Sequence, residues 1–324
     1  MTRWVEGVES ATKTFLLWRK RRKFIKKQKQ SKKHWLLDWI EAFLWAALVV
    51  LFINQYFFQA YQIPSGSMKN TLLIKDRIFV NKYIYGPEAA PGLGKLPGME
   101  IPKRGEVIIF ENPTYISRGT VFDILQRVIY MVTLSLVDID KDKEGNPRPH
   151  FLIKRAVGVG GDRIRFVRGE VEFKLPDSSS WERERNIERL GVPAYEIRRL
   201  IQQDQYSRIE QAGKAEAYLS AQLPLSEEMR QAAEGSSYVS ADTLEWNKHR
   251  YKALHSIYPH EKKYESEWRR RKTGWYIPDG WIFPLGDNRD NSRDARYFGP
   301  VNTENVLGKA MFIYLPLHRI GKIE

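Results

Sequence analysis

Hydrophobic and polar positions divide this chain into stretches of different period. Residues 35–58 are apolar with little interruption: Trp35-Leu36-Leu37 opens them, and Phe43 to Ile53 is nearly continuous. As a helix, Trp39 to Phe58 would extend about 30 Å, the thickness of a bilayer core. Asp38 and Glu41 stand at its entry and Asn54 and Gln55 at its exit, where polar groups cost little. Trp35, Trp39, Tyr56, Phe57 and Phe58 flank the segment as interfacial aromatics do. A buried core helix is the alternative, and it leaves the basic residues ahead of the segment unexplained.

Beyond residue 58 the period shortens to two. Gln59-Ala60-Tyr61-Gln62-Ile63 alternates and is rich in β-formers, which predicts a strand. Further strands are predicted after the turn at Lys75-Asp76, at Val107–Phe110, from Phe151 onward, from Trp275 to Leu285, and at Lys309–Leu315. Gly86–Pro102 and Lys141–Pro149 read as loops. Residues 121–137 are apolar but broken by Asp123, Gln126 and Arg127, too polar for a second span. They predict an amphipathic helix, either resting on a membrane surface or, the favoured reading, packed on the core. Residues 175–274 are rich in Glu, Arg, Gln and Ala, and the spacing of Ile197, Leu200 and Ile201 predicts a helical insertion. The resulting organisation is a basic segment (1–34), a membrane-spanning helix (35–58), a mainly β domain in two parts (59–174 and 275–324), and a helical insertion between them (175–274).

Charge gives this organisation a direction. The chain has 324 residues and a formal net charge of +14. Its basic residues crowd into Arg19-Lys20-Arg21-Arg22-Lys23 and Lys26 to Lys33, just before the apolar segment. That flank stays cytoplasmic, so everything after Phe58 is outside. A nucleic-acid footprint would not be confined to the edge of a span. A cleavable leader fits poorly, because the basic region is too long and no small-x-small site precedes Pro64. Residues 1–18 read equally as a surface helix or a frayed tail. The basic block itself is expected not to fold alone, and Arg269-Arg270-Arg271-Lys272 reads as a solvated face or a headgroup contact. There are no cysteines, which excludes disulfides, thiolate zinc sites and a cysteine nucleophile.

Candidate chemistry gathers at Ile63-Pro64-Ser65-Gly66-Ser67-Met68, just past the span. A strand reaches a proline and then presents two serines, of which Ser67 is the candidate nucleophile. Serine needs a base. None of the six histidines stands in a motif-like setting; His150 is the nearest candidate, in a loop. No paired spacing suggests a metal, and no cofactor is implied. Lys154 follows Phe151-Leu152-Ile153 on an apolar strand, where burial disfavours its charged form and lowers its pKa. A neutral lysine can replace histidine as the base.

Three stretches, with a fourth at Asp76–Lys82, then resemble the signature boxes of bacterial type I signal peptidases. They are Ile63–Met68, Lys154-Arg155-Ala156-Val157-Gly158 with Gly161-Asp162, and Gly286-Asp287-Asn288-Arg289-Asp290-Asn291-Ser292. The resemblance implies a signal-peptidase-like β-fold of antiparallel sheets. It implies Ser67 as nucleophile and Lys154 as neutral general base, with the Ser65 hydroxyl and the Ser67 N–H as oxyanion hole. Ser292 would bond and orient the lysine amine, and Asp287, Asp294 and Arg296 would hold the Ser292 loop. The substrate would be the signal peptide of an exported preprotein, cut after a small-x-small site and added as a strand beside residues 59–63 and 151–153. The implied setting is the bacterial inner membrane, single-pass, with the β domain on the periplasmic side and the lipid bilayer and export machinery as partners. Asn70 and Gly160 stand where the family commonly has Pro, and Lys75 where it has Gly. An inactive relative that binds exported chains and a self-cleaving serine–lysine regulator are the competing readings. The second would carry a DNA-binding module where this chain has an apolar segment.

Overall fold

The computed structural model describes residues 12–25, 35–89, 94–133, 135–145, 148–234 and 242–323. Residues 1–51 and 52–324 form two compact units. In the first, α1 covers residues 12–25, with Arg22 resting 4.3 Å above the Trp18 ring. The basic residues 19–25, expected not to fold alone, are therefore helical, while the rest of that block (26–34) lies outside the described residues. The reading of residues 1–18 lies outside them for residues 1–11. Helix α2, Trp35–Tyr56, is 22 residues long and apolar enough to cross a membrane. Phe43, Leu44, Trp45 and Leu48 are all exposed on it, as a lipid-facing helix requires and a core helix does not.

In the second unit the period-two stretches form antiparallel strands. These are β1 (Phe58–Gln62), β2 (Arg77–Asn81), β3 (Val107–Glu111), β4 (Phe151–Val159), β9 (Trp281–Leu285), β10 (Val301–Asn302), β11 (Val306–Leu315) and β12 (Gly321–Lys322). They build one sheet in the order β1-β2-β11-β3-β4-β9-β10, with β12 on β11. The sheet curls: β1 is an edge, yet its Tyr61 ring packs edge-on against Phe151 at the start of β4, 5.8 Å away. Tyr61, Ile63, Met68, Ile78, Val80, Ile109 and Ile153 share one core. Four shorter strands, β5 (Arg163–Val167), β6 (Glu170–Lys174), β7 (Glu182–Arg183) and β8 (Trp275–Tyr276), form a second sheet. A second core joins the two sheets through Val157, Ile164, Phe173, Ile277 and Phe283.

Helix α3, Thr120–Val132, occupies much of the predicted amphipathic stretch. Its orientation differs from the favoured expectation. The apolar side chains Val121, Ile124, Leu125 and Val128 are exposed, whereas Gln126 and Met131 are buried. The insertion carries α4 (Tyr206–Ser220), α5 (Glu227–Glu234), α6 (Thr243–Ile257) and α7 (Lys262–Thr273). The spacing at Ile197, Leu200 and Ile201 misleads: this stretch is not helical, and Arg198 pairs as a bridge with Asn288. The cluster at Arg269–Lys272 closes α7, where Arg269 pairs with Glu265 at 2.6 Å and Arg270 with Glu267 at 3.0 Å.

Candidate active site

Ser67 sits where β1 gives way to a short turn. Ile63 still pairs with the chain after the turn, its N–H donating to Asp76 O at 2.9 Å and its carbonyl accepting from Lys75 N at 2.9 Å. Pro64 has no N–H with which to continue the strand. Gly66–Met68 then coil into a single 3₁₀ turn that buries Ser67 and Met68. Asn70 (φ 96°) and Lys75 (φ 74°) adopt left-handed backbone in the loop that follows. Proline could not take that conformation at position 70, so the departure from the family pattern marks a differently shaped turn. Asp76 fixes the loop's end by accepting from Leu73 N (2.7 Å) and from Arg319 Nε (3.0 Å).

Lys154 reaches the serine from β4. Its neighbours on that strand are buried, and Ile108 faces it from β3. The amine lies 2.6 Å from Ser67 Oγ and 3.0 Å from Ile153 O, and the residue is 3% exposed. Burial brings the amine from its usual 10.5 down to about 8; Asp294 and Asp287 pull it back up, and Arg296 pushes it down. A lysine in this state is about one-tenth neutral at pH 7, far more than a solvated lysine, and has an alcohol within hydrogen-bond reach. Ser65 is exposed, and its hydroxyl donates to Ser67 Oγ at 3.4 Å. His150, weighed as an alternative base, is directed elsewhere: its Nε2 lies 2.9 Å from Asp140 Oδ2.

The 286–296 loop closes over this pair. Asn288 N–H donates to Ser67 O (3.0 Å) and its side-chain amide to Gly66 O (2.9 Å), so one residue grips the Ser67 turn twice. Asp287, fully buried, accepts from Arg155 Nε (3.0 Å) and Nη2 (2.8 Å) and from Thr71 Oγ1 (2.6 Å). Asp294 accepts from Gly286 N (3.0 Å) and Arg296 Nε (2.8 Å). Burial alone would raise the Asp294 pKa, but Arg296 overrides it and holds the carboxyl below its ordinary value. Ser292 Oγ is buried beside Asp294, whose carboxyl it helps to hold low, and the expected bond to the Lys154 amine is not made. Gly286 cannot be larger here: a Cβ would lie 2.2 Å from Ser292 Oγ and 2.6 Å from Ser67 O.

Several supports escaped the sequence reading. Arg155 was legible only as a neighbour of Lys154, yet it is buried, stacks 4.0 Å from the Tyr195 ring and donates to Gly105 O at 2.7 Å. Glu184, in the insertion, pairs with Arg289 at 2.7 Å. No local pattern announces either contact, because each partner is distant in sequence. One trio with metal-ligand potential also emerged, Glu210, Glu245 and His249. Its carboxylates are already paired, with Arg168 at 3.0 Å and Lys248 at 2.9 Å, so it reads as an ion network within the insertion.

The free edge of β1 and the start of β4 border a cavity of about 560 Å³, lined by Tyr61, Ile63, Pro64, Tyr130, Leu136 and Ile153. Of the lining residues, Pro64 stands three positions before Ser67 and Ile153 directly before Lys154. Strand β9 begins to pair with β4 only at Arg155, which leaves residues 151–154 of β4 with one edge unpaired by the sheet.

Comparison with known proteins identifies the family. Residues 36–315 match the family described as signal peptidase, peptidase S26. The protein named signal peptidase I in Aquifex aeolicus is 30% identical over 85% of this chain and 82% of its own length. That of Haemophilus influenzae is 29% identical over 84% of this chain and 67% of its own. That of one Buchnera aphidicola strain is 27% identical over 89% and 78%.

Proposed function

The chain belongs to the signal peptidase S26 family, and from that premise we propose that it is a membrane-anchored serine endopeptidase. It removes signal peptides from exported preproteins after small-x-small sites, with Ser67 as nucleophile and Lys154 as general base. The observation that carries this reading is the 2.6 Å approach of a buried lysine amine to Ser67 Oγ.

The preprotein segment adds as a strand beside residues 59–63 and 151–153, lining up its backbone along two free edges. Neutral Lys154 takes the Ser67 proton as Oγ attacks the scissile carbonyl. The Ser65 hydroxyl and the Ser67 N–H receive the developing oxyanion, a contribution on the order of 3 kcal/mol. The protonated lysine then returns its proton to the leaving amine, and the acyl-enzyme is hydrolysed by water activated in the same way. Asp287, Asp294 and Arg296 hold the loop that closes over Ser67 and Lys154. The apolar helix α2 tethers the site to the bilayer beside emerging signal peptides, with the N-terminus cytoplasmic and the β domain periplasmic. Export machinery delivers the substrate to that face.

Purified Ser67→Ala and Lys154→Ala proteins, given a preprotein, test the assignment. Both should leave the preprotein uncut while retaining the parent's circular dichroism. Normal turnover by either would remove the dyad.

A further inference from the structure

Helix α3 is amphipathic in the reverse of the usual sense. Val121, Ile124, Leu125 and Val128 recur at the spacing of one helix face, which in a folded domain normally faces the core. Here that face points outward, with Val121 83% and Leu125 52% exposed. Leu136 and Val137, in the loop after the helix, add to the exposed apolar surface, as does Ile116 before it. The polar residues point inward: Gln126 donates to Asp138 Oδ1 at 3.0 Å, and Arg127 pairs with Glu88 at 2.7 Å and Glu111 at 3.2 Å. A run of this kind on a water-facing surface marks a place of contact.

The contacts of Glu88 indicate what it touches. Glu88 O accepts from Gln55 Nε2 (2.9 Å), and Ala89 O from Tyr56 Oη (2.8 Å). Gln55 and Tyr56 are the last residues of α2, so a single residue links the exit of the apolar helix to α3. Phe57 and Tyr83 stack there at 5.8 Å, and both are exposed together with Phe58, as aromatics at a membrane–water boundary are. Arg118, before α3, lies 5.4 Å from the Phe122 ring but is already paired with Asp140 at 3.2 Å, which leaves the apolar face rather than this cation as the contact surface.

We propose that the exposed face of α3, with Leu136 and Val137, lies in the outer leaflet of the lipid bilayer as an interfacial helix beside the exit of α2. The proposal rests on the reading of α2 as a membrane anchor. Its consequence is positional. Tyr130, Leu136 and Val137 also line the cavity bordered by Ile63, Pro64 and Ile153, so the docked helix holds that groove at the lipid surface, where a signal peptide emerges.

The chain has no cysteine, so a single introduced thiol reports one place. Leu125→Cys, Phe43→Cys and Leu200→Cys full-length proteins carry an environment-sensitive fluorophore in vesicles of phosphatidylethanolamine and phosphatidylglycerol. Nitroxide-bearing lipids serve as quenchers. The Leu125 probe should shift to the blue and lose emission to the quenchers. The probe at Leu200, exposed in the insertion, should do neither. The Phe43 probe tests the anchor by itself. If Phe43 is unquenched the anchor reading fails; if Phe43 is quenched and Leu125 is not, the docking of α3 alone is overturned. Shielding of Leu125 that follows protein density without quenching would assign the face to a second copy, and would also overturn it. As a functional arm, Val121→Glu/Leu125→Glu should raise the KM for a vesicle-embedded preprotein severalfold and leave hydrolysis of a short soluble peptide unchanged. Equal effects on both substrates would overturn the role given to the helix.

Discussion

Glu184 and Arg289 form an ion pair that is almost wholly buried, 3% and 2% exposed, with Arg289 Nη2 2.7 Å from Glu184 Oε1. One partner lies in the segment between the two halves of the main sheet, and the other lies inside the loop that closes over Ser67. Burial alone would depress the Arg289 guanidinium; Glu184 overrides it and raises its pKa. Arg198 reinforces the connection, donating its N–H to Asp287 O at 2.8 Å and accepting from Arg289 N at 3.0 Å. Removing one member of a buried pair strands the other charge. Glu184→Ala should therefore cost about 3–5 kcal/mol of stability, and an apolar replacement of both residues much less. Denaturant unfolding in detergent checks this, and equal losses in the single and double variants would show that the pair does not act as a unit.

That pair also marks how far the sequence could be read. The long apolar run, the alternation at 59–63 and the buried strand after Phe151 each announce an element, because local period follows directly from which faces are buried. Ser67 and Lys154 were legible as candidates because each stands beside its own local signal. Glu184 and Arg155 were not, since their partners are set by how the sheet curls. The stretch at Ile197–Ile201 shows the opposite error. Three apolar residues at helical spacing lie instead on extended chain whose backbone pairs with Asp287, Asn288 and Arg289. For α3 the period was right and the apolar face points outward instead of to the core, because periodicity cannot say which way an apolar stripe turns.

At Gly286 the backbone packs directly against the Ser67 turn. A Cβ at this position would press on both Ser292 Oγ and Ser67 O. Gly286→Ala should displace the nucleophile's turn by a fraction of an ångström to an ångström. A displacement of this size lowers kcat by about 10²-fold. Activity on a preprotein, set against the melting temperature, separates this from general unfolding: kcat should collapse while the melting temperature falls only modestly.

On the proposed binding mode, Tyr130 and substrate share the edge of β1. Ile63 directs its N–H toward Asp76, so by alternation the N–H of Gln62 points to the free edge. Tyr130 Oη accepts that N–H at 3.4 Å. A substrate strand pairing there must displace it. Tyr130→Phe should lower KM for a peptide by up to a few-fold, the value of one weak hydrogen bond, and leave kcat unchanged. A raised KM would show that the hydroxyl assists binding.

The pH dependence follows from Lys154. With the free-enzyme amine near 8, kcat/KM should rise with pH through that value as the neutral fraction grows. A bound strand removes more water from the amine, so the corresponding limb in kcat should lie lower. Lys154→Arg should be inactive at every pH, because guanidinium does not give up its proton. A kcat/KM limb that does not move between the parent and a variant with altered burial of Lys154, such as Ile153→Ser, would assign the titration to another group.

The same amine lowers the stability of the fold. Its pKa is about 8 in the folded protein against 10.5 when solvated, so keeping it charged in the folded state costs on the order of 3 kcal/mol. Between these two values the unfolded chain binds the proton and the folded protein does not, and stability therefore rises with pH across that window; below about 8 both states are protonated and the whole penalty applies. Lys154→Met keeps the length of the side chain and removes the charge. At pH 7 it should be inactive yet more stable than the parent by up to about 3 kcal/mol, with the gap narrowing as pH rises from 8 toward 10.5. Denaturant unfolding of both proteins across that range measures it. A parent as stable as the variant at pH 7 would mean that the amine is comfortably charged where it lies, and a comfortably charged amine cannot take the Ser67 proton.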